Sequence, residues 1–99
     1  MRPKIIAVDF DGTLYRDGNL NGALMSQLKA EQSRGAYVIL WTCRDGDGLR
    51  EAVSMIKERG FAPNNVNANC PAAVKMLKRD PRKVFADVYI DDKNMTMRV

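Results

Sequence analysis

The sequence predicts an α/β domain: a three-layer, Rossmann-like fold with a mostly parallel sheet and helices on both faces. Three observations carry this. The run at residues 5–8 has the continuous hydrophobicity of a strand buried on both faces, and the largely apolar segments 37–42 and 84–90 read as further strands. Segments with helical spacing separate these runs, so strand and helix alternate along the chain. Each run also leads into a polar residue at its carboxyl end: Asp9, Thr42 or Asp91. Ligands of such sheets bind beyond the carboxyl ends of the strands, so three separate segments point polar groups toward one edge.

Taken in order, the first strand is expected over residues 4–9. Gly12 then permits a sharp backbone turn, and residues 15–19 follow as a loop. Leu20, Ala23, Leu24 and Leu28 mark one face of a helix running to about residue 34, with Gly35 as its stop signal. The second strand occupies 37–42 and carries Trp41, which its apolar strand favours as a core residue over a base-stacking platform. A polar, Gly-rich turn over 43–48 follows, with Cys43 near the core. A second helix is expected from about 49 to 59, with Ala52, Val53 and Ile56 inward and Gly60 at its end. Residues 64–69 hold one short strand between turns, and their asparagines read as turn chemistry. Pro71 suits the first position of a third helix through about residue 78, with Ala72, Val74, Met76 and Leu77 available for packing. Asp80-Pro81 breaks it. The last strand, 84–90, runs directly into Asp91-Asp92, and 93–99 form a short tail.

The 99 residues suffice for one domain, 1–99, with no linker or repeat. Sixteen Lys and Arg against twelve Asp and Glu give a net charge of +4. That balance favours anionic partners and tolerates nucleic acid, but no dense basic run demands it. No stretch has the length of a membrane span. The first apolar run is too short for a signal sequence and is broken by Asp9. A cytoplasmic protein without membrane contact is therefore expected. Cys43 and Cys70 lack CxxC or zinc spacing and read as reduced thiols. The absence of histidine excludes His-based nucleophilic catalysis and argues against zinc. Any chemistry must run on Asp, Lys, Thr and a hard cation.

Two carboxylates at the end of a buried strand are costly without a cation or hydrogen bonds. Asp9, Asp11 and Asp91-Asp92 could converge as an oxygen-only cluster, which favours Mg²⁺. A cation between carboxylates and a phosphate offsets the repulsion between an anionic nucleophile and an anionic substrate. One Asp could then attack phosphorus. A second, two residues away, could protonate the leaving group and later activate water. Thr42 could hydrogen-bond a phosphoryl oxygen, and a Lys could neutralise charge.

Asp9-Phe10-Asp11-Gly12-Thr13 resembles the DxDGT signature of the haloacid dehalogenase-like (HAD) superfamily. Thr42 resembles its second motif, and Ile90-Asp91-Asp92 its fourth, in the right order over nearly the whole chain. The resemblance implies that Asp9 is nucleophile and metal ligand. It implies that Asp11 is the general acid/base, with its backbone carbonyl on Mg²⁺. Asp91 and Asp92 would complete the metal site, and relatives with adjacent acids favour Asp92 as the direct ligand. Gly12, Thr13, Cys43 and Arg44 would bind substrate, Arg44 by holding a phosphate or carboxylate bidentately. The presence of Asp11 points to phosphatases rather than dehalogenases. The third-motif lysine is Lys83, Lys78 or Lys75, with Lys83 preferred for its place before the last strand.

Larger members insert a cap domain, for which this chain has no room. An uncapped site suits a macromolecular or bulky substrate, or one covered by a neighbouring subunit in a homo-oligomer. The expected activity is that of a Mg²⁺-dependent phosphomonoester hydrolase. Its substrate would be a phosphorylated small molecule, a nucleotide, or a terminal phosphate on nucleic acid. The rivals are a non-catalytic metal- and phosphate-binding module and a receiver-type phospho-acceptor. Tyr15 and Arg16 are candidates for the site entrance. Asp87 is read as structural, because four residues of extended strand place it about 13 Å from Asp91.

Overall fold

Ile5–Val8 form β1 as their pattern suggests, with four consecutive apolar side chains and none more than 3% exposed. In the computed structural model, which describes residues 2–91, the chain continues through β2 (Tyr15–Arg16), β3 (Asn19–Leu20), α1 (Gly22–Ser33), β4 (Tyr37–Leu40), α2 (Gly46–Glu58), β5 (Asn65–Val66), α3 (Pro71–Leu77) and β6 (Val88–Ile90). Four strands make a parallel sheet in the order β5-β4-β1-β6. β1 and β4 are the two inner strands, and both are apolar toward both layers.

Alternation along the strands divides the core in two. Ile6, Val8, Val38 and Leu40 pack with Met25 and Leu28 of α1 and Ala52 and Ile56 of α2. Ile5, Ala7 and Ile39 pack on the opposite face with Ala73 of α3, Cys70 and Val84. Helices therefore cover both faces of the sheet, as right-handed crossovers require. The chain order reverses between β1 and β6, which makes the gap beyond their carboxyl ends the topological switch point.

Several local expectations are corrected. Residues 15–19 are not a plain loop. β2 and β3 form an antiparallel hairpin around Asp17 (φ 52) and Gly18 (φ 81), the paired positive dihedrals that a type I′ turn needs. α1 is capped by Asn21, whose Oδ1 accepts from the Leu24 amide at 3.0 Å. Met25 takes the inward place and Ala23 is exposed. α2 starts earlier, at Gly46, where the backbone takes a φ of 51 that glycine adopts cheaply. α3 buries Ala73 and leaves Ala72 and Met76 exposed. Strand pairing in the last apolar run is limited to β6; residues 84–87 lead into it, with the Asp87 amide on the Ile5 carbonyl at 2.8 Å.

Trp41 and Cys43 are not core residues. Both lie past the end of β4 and are exposed, Trp41 by 39%. Asp87 is structural, as expected. Its carboxylate accepts from Arg2 Nη1 and Nη2 and from the Ile5 amide, each at 2.7 Å. Asp92 and the expected 93–99 tail lie outside the described residues. No helix among the described residues is long and apolar enough to cross a membrane.

Candidate active site at the carboxyl edge of the sheet

The register fixes the site. Val8 pairs with Leu40 and with Ile90, and Leu40 pairs with Val66. The next residue on each strand therefore forms a row along the carboxyl edge: Asn67, Trp41, Asp9, Asp91. Three backbone bonds extend the ladder into this row: Asn67 N–H to Leu40 O at 2.8 Å, Trp41 N–H to Val8 O at 2.8 Å, and Asp9 N–H to Ile90 O at 2.9 Å. The pleat places Trp41, Asp9 and Asp91 on the same side as Ile39, Ala7 and Tyr89. Asp9 and Asp91, both half-buried, thus stand on adjacent strands at the switch point, about 4.8 Å apart along the backbone.

Asp11 reaches this edge by a different route. After Asp9 the chain turns through Gly12 at φ 85. The turn is closed by Thr13 N–H to Phe10 O (3.1 Å), Tyr15 N–H to Phe10 O (2.9 Å) and Gly12 N–H to Tyr15 O (2.8 Å). Buried Phe10 anchors it, and Tyr15 stacks on Phe10 with centroids 5.3 Å apart. Arg16 donates to the Gly12 carbonyl and lines a surface cavity beside Gly12 and Thr13.

Arg44 lies across these rings, 4.7 Å from the Phe10 centroid and 5.8 Å from that of Tyr15. Its Nε and Nη2 donate to the two oxygens of Asp11, each at 2.9 Å, and its Nη1 donates to Gly48 O at 3.2 Å. The Asp11 hydrogen bonds raise the Arg44 pKa against the opposing effect of burial. The guanidinium is therefore a fixed cation, held by a carboxylate, two rings and a carbonyl.

Thr42 completes the cluster. Its Oγ1 accepts from the Arg44 amide at 3.1 Å, which leaves the hydroxyl proton for another partner. Its own amide donates to Asn67 Oδ1 at 2.8 Å. Asn67 is a site residue for which the sequence favours turn chemistry over a place at the site. It adopts φ 50, a region where Asn is tolerated, and from there its side chain pins the Thr42 loop. Thr13 is 8% exposed, and its Oγ1 has no hydrogen-bond partner among the described residues.

The lysine candidates separate by position. Lys83 Nζ stands 5.4 Å from the centroid of the Tyr89 ring, two residues before Asp91 on the same strand face. Lys75 lines a shallow depression with Arg2, Ala72 and Met76, which places it toward the amino-terminal edge. Lys78 ends α3 at φ 60, still further along that helix. The structure thus brings together Asp9, Asp11, Gly12, Thr42, Arg44 and Asp91 at one edge, and carries Lys75 and Lys78 away from it.

Among the described residues no three acidic, Cys or His side chains gather as a metal-binding group, and the Asp11 carboxylate is turned to Arg44. The donor set at the switch point is the Asp9–Asp91 carboxylate pair, which the β1–β6 register sets side by side. Mg²⁺ is bound by one or two carboxylates, substrate phosphate and retained waters, so this set fits Mg²⁺ and not an all-protein cage.

No family model matches the chain, and no curated protein sequence matches it. It is similar to a solved structure of a conserved protein coded by a locus of Bacteroides thetaiotaomicron. The two share 33% identity and a TM-score of 0.79, over 95% of this chain and 79% of that one. With a third of its residues identical over nearly its whole length, the chain belongs to the same family as this Bacteroides thetaiotaomicron protein.

Proposed function

We propose that the protein is a HAD-like, Mg²⁺-dependent phosphohydrolase with an uncapped site, which cleaves phosphomonoesters through an aspartyl-phosphate. The single observation that carries this reading is the in-register pair Asp9–Asp91 at the switch point, beside the Asp11–Arg44–Thr42 cluster. Asp9 Oδ attacks phosphorus and the ester oxygen leaves with its electron pair. Asp11 supplies the proton to that oxygen, then takes one from the water that opens the acyl phosphate. Thr42 donates its hydroxyl proton to a phosphoryl oxygen, and Lys83 supplies positive charge from the β6 side. Asp9, the Asp11 carbonyl and the Asp91-Asp92 pair, with Asp92 favoured as its direct ligand, would hold Mg²⁺, which would supply charge neutralisation of the phosphate.

Arg44 occupies both Asp11 oxygens, so the proton-transfer role requires one of them to be released when the ester arrives. Between β1 and α1 the chain holds only the β2–β3 hairpin, which supports an open site. The doubly held Asp11 also favours a second reading, a metal- and phosphate-binding module without turnover. Phosphate release from a panel of phosphomonoesters separates the two. Mg²⁺-dependent release, abolished by EDTA and reduced to background in Asp9→Asn, is the expected result. Turnover that survives Asp9→Asn sinks the mechanism. Mg²⁺ binding without release from any ester establishes the binding module.

A further inference from the structure

We propose that Trp41 is the stacking platform for the base of a nucleoside monophosphate whose phosphate lies on Asp9. This deepens the phosphohydrolase reading and rests on it for the position of the phosphate. Trp41 is the register neighbour of Asp9 on β4, on the same face of the sheet and one strand spacing away. It is the largest side chain in the row beyond the strand ends, and it is 39% exposed instead of joining either core cluster. A scattered exposed Leu or Met needs no explanation. An indole beside a pair of carboxylates is different, because its neighbours in the row are all polar.

The backbone that carries the platform is held on both sides. The Trp41 amide is bonded to Val8 O at 2.8 Å. The next residue is fixed by Asn67 through Thr42 N–H at 2.8 Å, and Asn67 itself is bonded to Leu40 O at 2.8 Å. An aromatic ring on a fixed backbone loses little freedom on stacking. Every nucleobase has a π-face, so such a ring selects for a base without reading its identity. The lateral offset of one strand matters chemically. In an aryl phosphate the ring is joined directly to the bridging oxygen and sits over Asp9. In a nucleoside monophosphate a sugar carries the ring sideways, toward Trp41.

Trp41 is the sole tryptophan of the chain, so its emission is a single-site reporter that needs no turnover. Asp9→Asn protein in Mg²⁺ would be titrated with AMP, UMP, ribose 5-phosphate and phosphotyrosine, with excitation at the red edge of the indole band. The expected result is quenching by both nucleotides and none by ribose 5-phosphate. In parallel, the ratio of kcat/KM for AMP to that for ribose 5-phosphate would be compared in wild type, Trp41→Ala and Trp41→Phe. Loss of base stacking should lower that ratio roughly 5- to 150-fold in Trp41→Ala, and Trp41→Phe should retain most of it.

Emission unmoved by nucleotides, while ribose 5-phosphate is hydrolysed, overturns the platform and leaves the phosphohydrolase standing. Quenching by nucleotides without hydrolysis of any ester keeps the platform and overturns the phosphohydrolase. Quenching by phosphotyrosine alone overturns the nucleobase assignment.

Discussion

Replacing Asp87 with Asn tests what keeps β6, and with it Asp91, beside β1. The Asp87 carboxylate accepts from Arg2 Nη1 and Nη2 and from the Ile5 amide, all at 2.7 Å. The Arg2 hydrogen bond, followed by that of the Ile5 amide, lowers its pKa from 3.8 to about 2. A carboxyl whose folded pKa is depressed stabilises the fold in its ionised form. The contribution is therefore full above about pH 4 and is lost as pH falls through about 2. A drop of this size corresponds to at most about 2.5 kcal/mol. The side chain is 33% exposed, so solvent screening reduces the figure to about 1 kcal/mol, or a loss of about 4–8 °C in Tm for a domain of this length.

The assay is denaturant or thermal unfolding of wild type and Asp87→Asn, at neutral pH and at steps down through the acid range. The difference between the two proteins should be about 1 kcal/mol at neutral pH and shrink toward zero as pH approaches 2. A difference that keeps its full size in acid would refute the linkage. No difference at neutral pH would refute the clasp itself.

Two further substitutions probe the loops that hold the site. Arg44→Lys keeps the charge but cannot form the forked pair with Asp11 or lie flat on Phe10 and Tyr15. It should cost about 1 kcal/mol in unfolding experiments, and a larger fraction of any activity that depends on Asp11. Asn67→Ala removes the bond to the Thr42 amide and puts a residue less tolerant of φ 50 in its place. It should cost about 1–2 kcal/mol and speed hydrogen exchange at Thr42. Asn67→Gly should recover the backbone part of that loss but not the exchange protection.

Much of the architecture was legible in the sequence, because strands buried on both faces declare themselves by unbroken apolar runs. Ile5–Val8 and Tyr37–Leu40 are such strands, and the register then delivers Asp9 and Asp91 to one edge without further assumption. What misled was the same signal carried one step too far. Trp41 continues the apolar run of β4 but lies beyond its pairing, where hydrophobicity no longer reports burial. The 84–90 run is apolar because Val84 fills the α3 side of the core, not because all of it is strand. The Asp17-Gly18 pair was a readable hairpin signal, hidden by the brevity of β2 and β3. Asn67 and the Asp11–Arg44 pair were not readable as contacts. They join residues 25 and 33 positions apart, and only the folded register brings those together.

The central place of β1 has a consequence for the order of events during folding. Ile6 meets Val38 on one side and Val88 on the other. The first pairing closes over one hairpin and one helix, whereas the second must gather nearly the whole described chain. Long closures are entropically expensive until many contacts reward them. The α1 and α2 side of the core can therefore consolidate around β1 and β4 while β6 is still undocked. Until β6 docks, Asp9 has no partner strand carrying a second acid. The acidic pair is thus expected to form late in folding, and a chain stalled short of that step would carry a core and a half-built site.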